Sequence, residues 1–147
     1  MKKFSFSLSK ILDFKDQTLS IKQNELALLM EKLRTIEKQI DDLKLELTLN
    51  NNQMVEKMAE GINQNEILIY KTYFSVLNIK IQNLLRNKAT LAQSISRKKE
   101  EIIAINTEIS GLEKLRDKQF EEYMKSVQKL EEQNIESFIQ QTQATAS

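Results

Sequence analysis

A chain of 147 residues, 40% hydrophobic and 29% charged, has the balance of one helical domain with a solvated surface, not of a disordered or membrane-spanning chain. Lys+Arg 22 against Asp+Glu 21 leaves a formal net charge of +1, and the longest basic stretch, Arg97-Lys98-Lys99, is followed at once by Glu100-Glu101, so nucleic acid is not an expected partner. With no histidine, no cysteine and only Gly61 and Gly111 as glycines, the usual metal ligands, proton shuttles and phosphate-cradling loops are missing, and neither an enzyme nor a cofactor site is expected. Carboxylate pairs such as Asp41-Asp42, Glu100-Glu101 and Glu121-Glu122 read as solvated helix surface, because nothing around them would push their pKa values apart.

The amino terminus, Met1-Lys2-Lys3-Phe4-Ser5-Phe6-Ser7-Leu8-Ser9-Lys10, starts like a signal peptide. Serines and Lys10 interrupt its apolar region and no small-residue cleavage site follows, so the expectation is a cytosolic chain. No apolar stretch approaches the roughly 20 residues a bilayer span needs. From Leu8, steps of four and three land on Leu12, Lys15, Leu19, Lys22, Leu26, Leu29, Leu33, Ile36, Ile40, Leu43, Leu47, Asn50 and Met54, which predicts a first helix over residues 5–60. Asn50-Asn51-Asn52 competes as a stop signal, yet Met54 and Met58 carry the apolar face onward, and a polar Asn in a coiled-coil seam can fix register. The turn is expected over residues 61–65, where Gly61 and the asparagines tolerate left-handed backbone. A second seam then runs through Ile67, Tyr70, Phe74, Leu77, Ile81, Leu84, Lys88, Leu91, Ile95, Lys98, Ile102, Ile105, Ile109 and Leu112, predicting a helix over 66–140 and a frayed tail over 141–147. The predicted fold is all-α, a single domain of two long helices in an antiparallel coiled-coil hairpin, the second helix longer.

Charge tests the register. Folding about residue 62 makes facing seam positions total about 124, which sets Lys15 by Ile109, Lys22 by Ile102, Leu26 by Lys98, Ile36 by Lys88 and Leu8 by Arg116, so that no two cations meet. A slip of one heptad toward 131 would oppose Lys15 and Arg116, whereas a slip toward 117 is not excluded by charge and is disfavoured by Gly61 at the turn. The seam lysines are expected to lay their stems along the groove and hold their ammonium groups in water.

Beyond about residue 118 the second helix should outrun its partner, yet Phe120, Tyr123, Met124, Val127, Leu130 and Phe138 continue an apolar stripe. Such a face normally meets another protein; fraying, or dimerisation through the stripe, is the plainer alternative. Near the turn, Tyr70, Tyr73 and Phe74 gather three aromatics within five residues, either sealing the seam edge or anchoring a partner.

The start Phe4-Ser5-Phe6-Ser7-Leu8 followed by Ile11-Leu12 and Lys15, the turn region Gly61-Ile62 with Tyr70, Tyr73 and Leu77, and the segment Leu112-Glu113-Lys114-Leu115-Arg116-Asp117-Lys118 together resemble the FliJ family of the flagellar type III export apparatus. The likeness spans nearly the whole chain and departs at Gln133-Asn134-Ile135-Glu136-Ser137, where family members often carry a basic residue and an Asp-Glu pair. It implies an antiparallel coiled coil similar to the central stalk of rotary ATPases, a stalk that binds the hexameric export ATPase FliI and promotes its assembly. With that implication, the apolar stripe at Phe120, Tyr123, Met124, Val127 and Leu130 is the expected ring contact. It assigns contact with the export gate protein FlhA to Gln39, Leu43, Tyr73 and Leu77, with Glu46, Asn50, Lys80 and Leu84 on the same surface. It further implies export chaperones as partners and peripheral association with the cytoplasmic face of the inner membrane through the gate. Injectisome stalk proteins share the architecture and are the near alternative; a structural or chaperone coiled coil that sequesters a client helix is the rival of another class.

Overall fold

The computed structural model describes residues 2–146. It contains two α-helices, α1 (Ser9–Glu60, 52 residues) and α2 (Gln64–Ala146, 83 residues), packed against each other, and no strand among the described residues. The fold is therefore all-α, a helical hairpin with the longer helix second.

Three residues make the turn. α1 ends where Gly61 adopts φ +88°, a left-handed conformation that glycine reaches without the penalty a Cβ imposes, and its N–H donates to the Met58 carbonyl at 3.3 Å. Asn63 starts α2: its Oδ1 accepts the Glu66 N–H at 2.9 Å and its carbonyl accepts the Ile67 N–H at 3.2 Å. Glu66 in the first turn faces the positive end of the helix dipole. This cap is why α2 begins at Gln64, before the expected residue 66.

The other two ends also differ from expectation. α1 begins at Ser9, not residue 5, because Phe6 turns inward and is buried, and its carbonyl accepts the Ser9 N–H at 3.1 Å in a turn ahead of the helix. Of residues 141–147, expected to fray, 141–146 continue α2 with no glycine or proline to interrupt them, and Ser147 lies outside the described residues.

The residues form two compact units, Ile21–Ile102 and Met1–Ser20 with Ile103–Ser147. In the first, Ile40, Leu77, Ile81 and Ile95 are buried seam positions. Asn50, also buried, donates its Nδ2–H to the Tyr70 carbonyl of α2 at 3.1 Å, so the polar seam residue is satisfied across the helix pair. Beside it a shallow pocket lined by Asn50, Met54, Tyr70 and Phe74 opens, and Phe74 is exposed although it occupies a seam position. In the second unit Phe6, Leu12 and Ile109 are buried.

The seam lysines carry their ammonium groups to the partly exposed edge of the seam and there meet carboxylates, Lys88 lying 3.6 Å from Glu37. Lys98 Nζ donates to Glu25 at 2.5 Å and lies 3.4 Å from Glu101; Lys22 reaches Glu101 at 2.9 Å; Lys15 reaches Glu108 at 2.6 Å. Each aliphatic stem crosses the groove and meets a carboxylate flanking the opposite seam. The pairs 15 with 108, 22 with 101 and 25 with 98 share a constant total of 123, one short of the expected seam total because the partner is the flanking glutamate and not the seam residue itself. The hydrogen bond from Lys98 holds the Glu25 carboxyl below its ordinary range, the bond from Lys22 does the same for Glu101 with Lys98 adding to it, and Glu25 in turn raises Lys98.

A carboxyl whose folded pKa lies below its unfolded value of about 4.5 contributes stability that is complete above that value and is lost as pH falls through the folded pKa. Thermal melts followed by circular dichroism are therefore expected to lose midpoint as pH drops below about 4.5. The double substitution E25Q/E101Q should lower the midpoint at pH 7 and flatten this acid dependence. Equal acid slopes for the two proteins would show that these pairs add nothing.

Candidate interaction surfaces

Of the four positions assigned to the gate contact, three are accessible and one is buried. Gln39 and Leu43 come together with Asp42, Lys80, Asn83 and Leu84 along a groove between the helices. Tyr73, nearer the turn, stands 39% exposed at the seam margin and donates its phenolic O–H to the Glu46 carboxylate, which pushes the phenol pKa above its ordinary value. Leu77 is 1% exposed, the most deeply buried large side chain among the described residues, and no partner can reach it. Its place at the centre of the seam explains the difference: the heptad spacing that marks Leu77 as a neighbour of Tyr73 also points it at α1. Of the other positions on that surface, Lys80 and Leu84 line the groove, Glu46 is taken up by Tyr73, and Asn50 is buried.

Sequence reasoning missed a second apolar face on this part of α2. Leu68, Ile69, Val76 and Ile79 are all exposed, on the side away from the seam. The signal was present: from Ile67 to Ile79 the only charged residue is Lys71, too few polar side chains to clothe the outer face of a helix.

In the other unit α2 carries the five positions assigned to the ring contact. Phe120, Met124 and Leu130 are 46%, 49% and 39% exposed, while Tyr123 and Val127 are half-buried. The stripe continues through Ile135, Phe138 and Ile139, all exposed. At i, i+3, i+4 and i+7 spacing, Phe120, Tyr123, Met124 and Val127 lie on one helix face, which Phe138 rejoins five turns on.

This stripe is not bare from residue 118 onward, as the arm lengths suggest. Ahead of α1, residues 2–6 lie against it. Phe4 meets Phe120 edge-on with ring centroids 5.1 Å apart and interplanar angle 77°, and sits 5.5 Å from Tyr123. Tyr123 Oη donates to the Lys2 carbonyl at 2.8 Å. Phe6 is buried and Phe4 reaches along α2.

Among the described residues no group of three metal-ligating side chains gathers, and no helix is long and apolar enough to cross a membrane. Comparison with protein-family models, curated proteins and solved structures finds no match.

The burial of Leu77 separates core from contact surface. Leu77→Ala is expected to cost about 2–4 kcal/mol in chemical unfolding, because it leaves a cavity in the seam. Leu68→Ala, on the exposed face, should stay within about 0.5 kcal/mol of the parent. A Leu77→Ala protein as stable as the parent would return this residue to the list of surface contacts.

Proposed function

We propose that the chain is a stalk-like component of a flagellar type III export apparatus, binding the hexameric export ATPase through the apolar stripe around Phe120, Met124, Val127 and Leu130 and meeting the export gate protein through Gln39, Leu43 and Tyr73. The observation that carries this reading is the run of exposed apolar side chains on α2 from Phe120 to Ile139, a helix face that continues the hairpin seam with no helix among the described residues to pair with. The sequence motifs at residues 4–15, 61–77 and 112–118 support the family assignment, and the all-α hairpin fits the fold which that assignment requires.

In this reading the chain catalyses nothing itself. A surface that recognises groups shared between ATPase subunits favours the assembled ring over free subunits by mass action. Coupling to the gate requires that the chain bind different states of the ring with different affinity, since a ligand shifts an equilibrium only by its differential affinity. The gate contact would hold the assembly at the cytoplasmic face of the inner membrane, where export chaperones could also meet it. The exposed stripe also suits a chaperone that covers one client helix, and stoichiometry separates the two: one chain per six ATPase subunits for the stalk, one per client for the chaperone.

The triple substitution F120S/M124S/L130S removes three exposed apolar side chains from the stripe. It is expected to cut stimulation of the export ATPase at least tenfold and to reduce the hexamer fraction in light scattering, with helicity retained. Undiminished stimulation would remove the ring contact from this surface.

A further inference from the structure

Residues 2–7 occupy part of the surface to which the proposed function assigns a partner. They precede α1 and take no share in its hydrogen-bond ladder. Two ties hold their backbone: the Ser9 N–H to the Phe6 carbonyl at 3.1 Å, and the Tyr123 hydroxyl to the Lys2 carbonyl at 2.8 Å. Their side chains divide into two kinds. Phe6 is 6% exposed and anchors the segment, whereas Phe4 is half-buried and lies on rings that are themselves open, Phe120 being 46% exposed.

We infer that residues 2–5 are a displaceable cover on the apolar face of α2, hinged at Phe6, which a partner exchanges for its own side chains when it takes Phe120 and Tyr123. This rests on the proposed use of that face. The chemistry favours exchange. Phe4 contributes edge-on and tilted ring contacts, which any apolar or aromatic side chain of a partner can replace in kind. The Tyr123 hydroxyl bonds a main-chain carbonyl, a group every protein partner carries. Phe6, Leu12 and Ile109 are buried, and in this proposal they remain so while the cover opens and the hairpin stays intact. Met124 and Leu130, exposed beside the covered rings, give the partner a first foothold before the exchange.

The cover has a thermodynamic consequence. A site open only a fraction of the time binds with its intrinsic affinity reduced by that fraction, so a cover in place nine-tenths of the time weakens binding about tenfold. The segment thus sets how readily the face is engaged, and it shields apolar surface in the unbound chain.

Phe4→Ala removes the covering ring and leaves the anchor. It should tighten binding of the export ATPase several-fold, up to about tenfold, and raise fluorescence of the apolar dye 1-anilinonaphthalene-8-sulfonate above the parent's, with circular dichroism unchanged. In the cysteine-free chain, Ser5→Cys provides a single site for a fluorophore, whose quenching by iodide should increase when the ATPase binds. Equal or weaker ATPase binding by Phe4→Ala, or quenching that falls on binding, would overturn the cover and make the segment part of the docking surface. If the parent fails to bind the ATPase, the proposed function falls, and the dye comparison still decides the cover: equal dye fluorescence in parent and variant would refute it.

Discussion

A helix whose apolar residues recur every three and four positions must bury a narrow stripe, and in this chain each helix does so against the other. Gly61 makes that possible, because its left-handed backbone ends α1 and three residues suffice to start α2. The fold depends on this mutual burial. The seam is thin, so residues that depart from it matter more here than they would in a thick core, and both departures found are answered by a partner on the facing helix. Asn50 spends its amide on the Tyr70 carbonyl. Lys15, Lys22 and Lys98 spend their charges on Glu108, Glu101 and Glu25.

These polar groups have a cost in stability relative to leucine, and their return is alignment. An apolar seam tolerates a slip of seven residues, since another heptad presents the same pattern. A slip leaves two of the three lysines without a carboxylate, so the correct pairing is distinguished by the ion pairs its competitors lose. The ion pairs are exposed enough for salt to weaken them, which places their value in specificity rather than in gross stability.

Much of this was legible from the chain alone. Heptad spacing located the seam, and of its positions only Phe74 is left exposed. What spacing could not convey was anything set by irregular backbone or by atoms reaching sideways from the seam. The outward reach of the lysines was legible, but their glutamate partners were not, because a one-dimensional register names the residue directly opposite and not the glutamate one position away. Leu77 read as a surface contact because resemblance transfers a neighbourhood without saying which side chain points inward. The stripe at Phe120 and Tyr123 read as uncovered because residues 2–7, without helical periodicity, offer no pattern to extrapolate, although Phe4 and Phe6 turned out to be its cover and anchor. The exposed face of Leu68, Ile69, Val76 and Ile79 was visible as a shortage of charge and was overshadowed by the aromatics beside it.

The pairing of α1 with α2 in a single register is open to direct measurement with a zero-length carbodiimide cross-linker, which joins a lysine to a carboxylate only where the two touch. Peptide mass spectrometry of the monomer band should find Lys98 joined to Glu25, Lys22 to Glu101 and Lys15 to Glu108. Lys15 joined instead to Glu101, the pairing that a one-heptad slip would create, would contradict the account. So would the expected links appearing only in a covalent dimer.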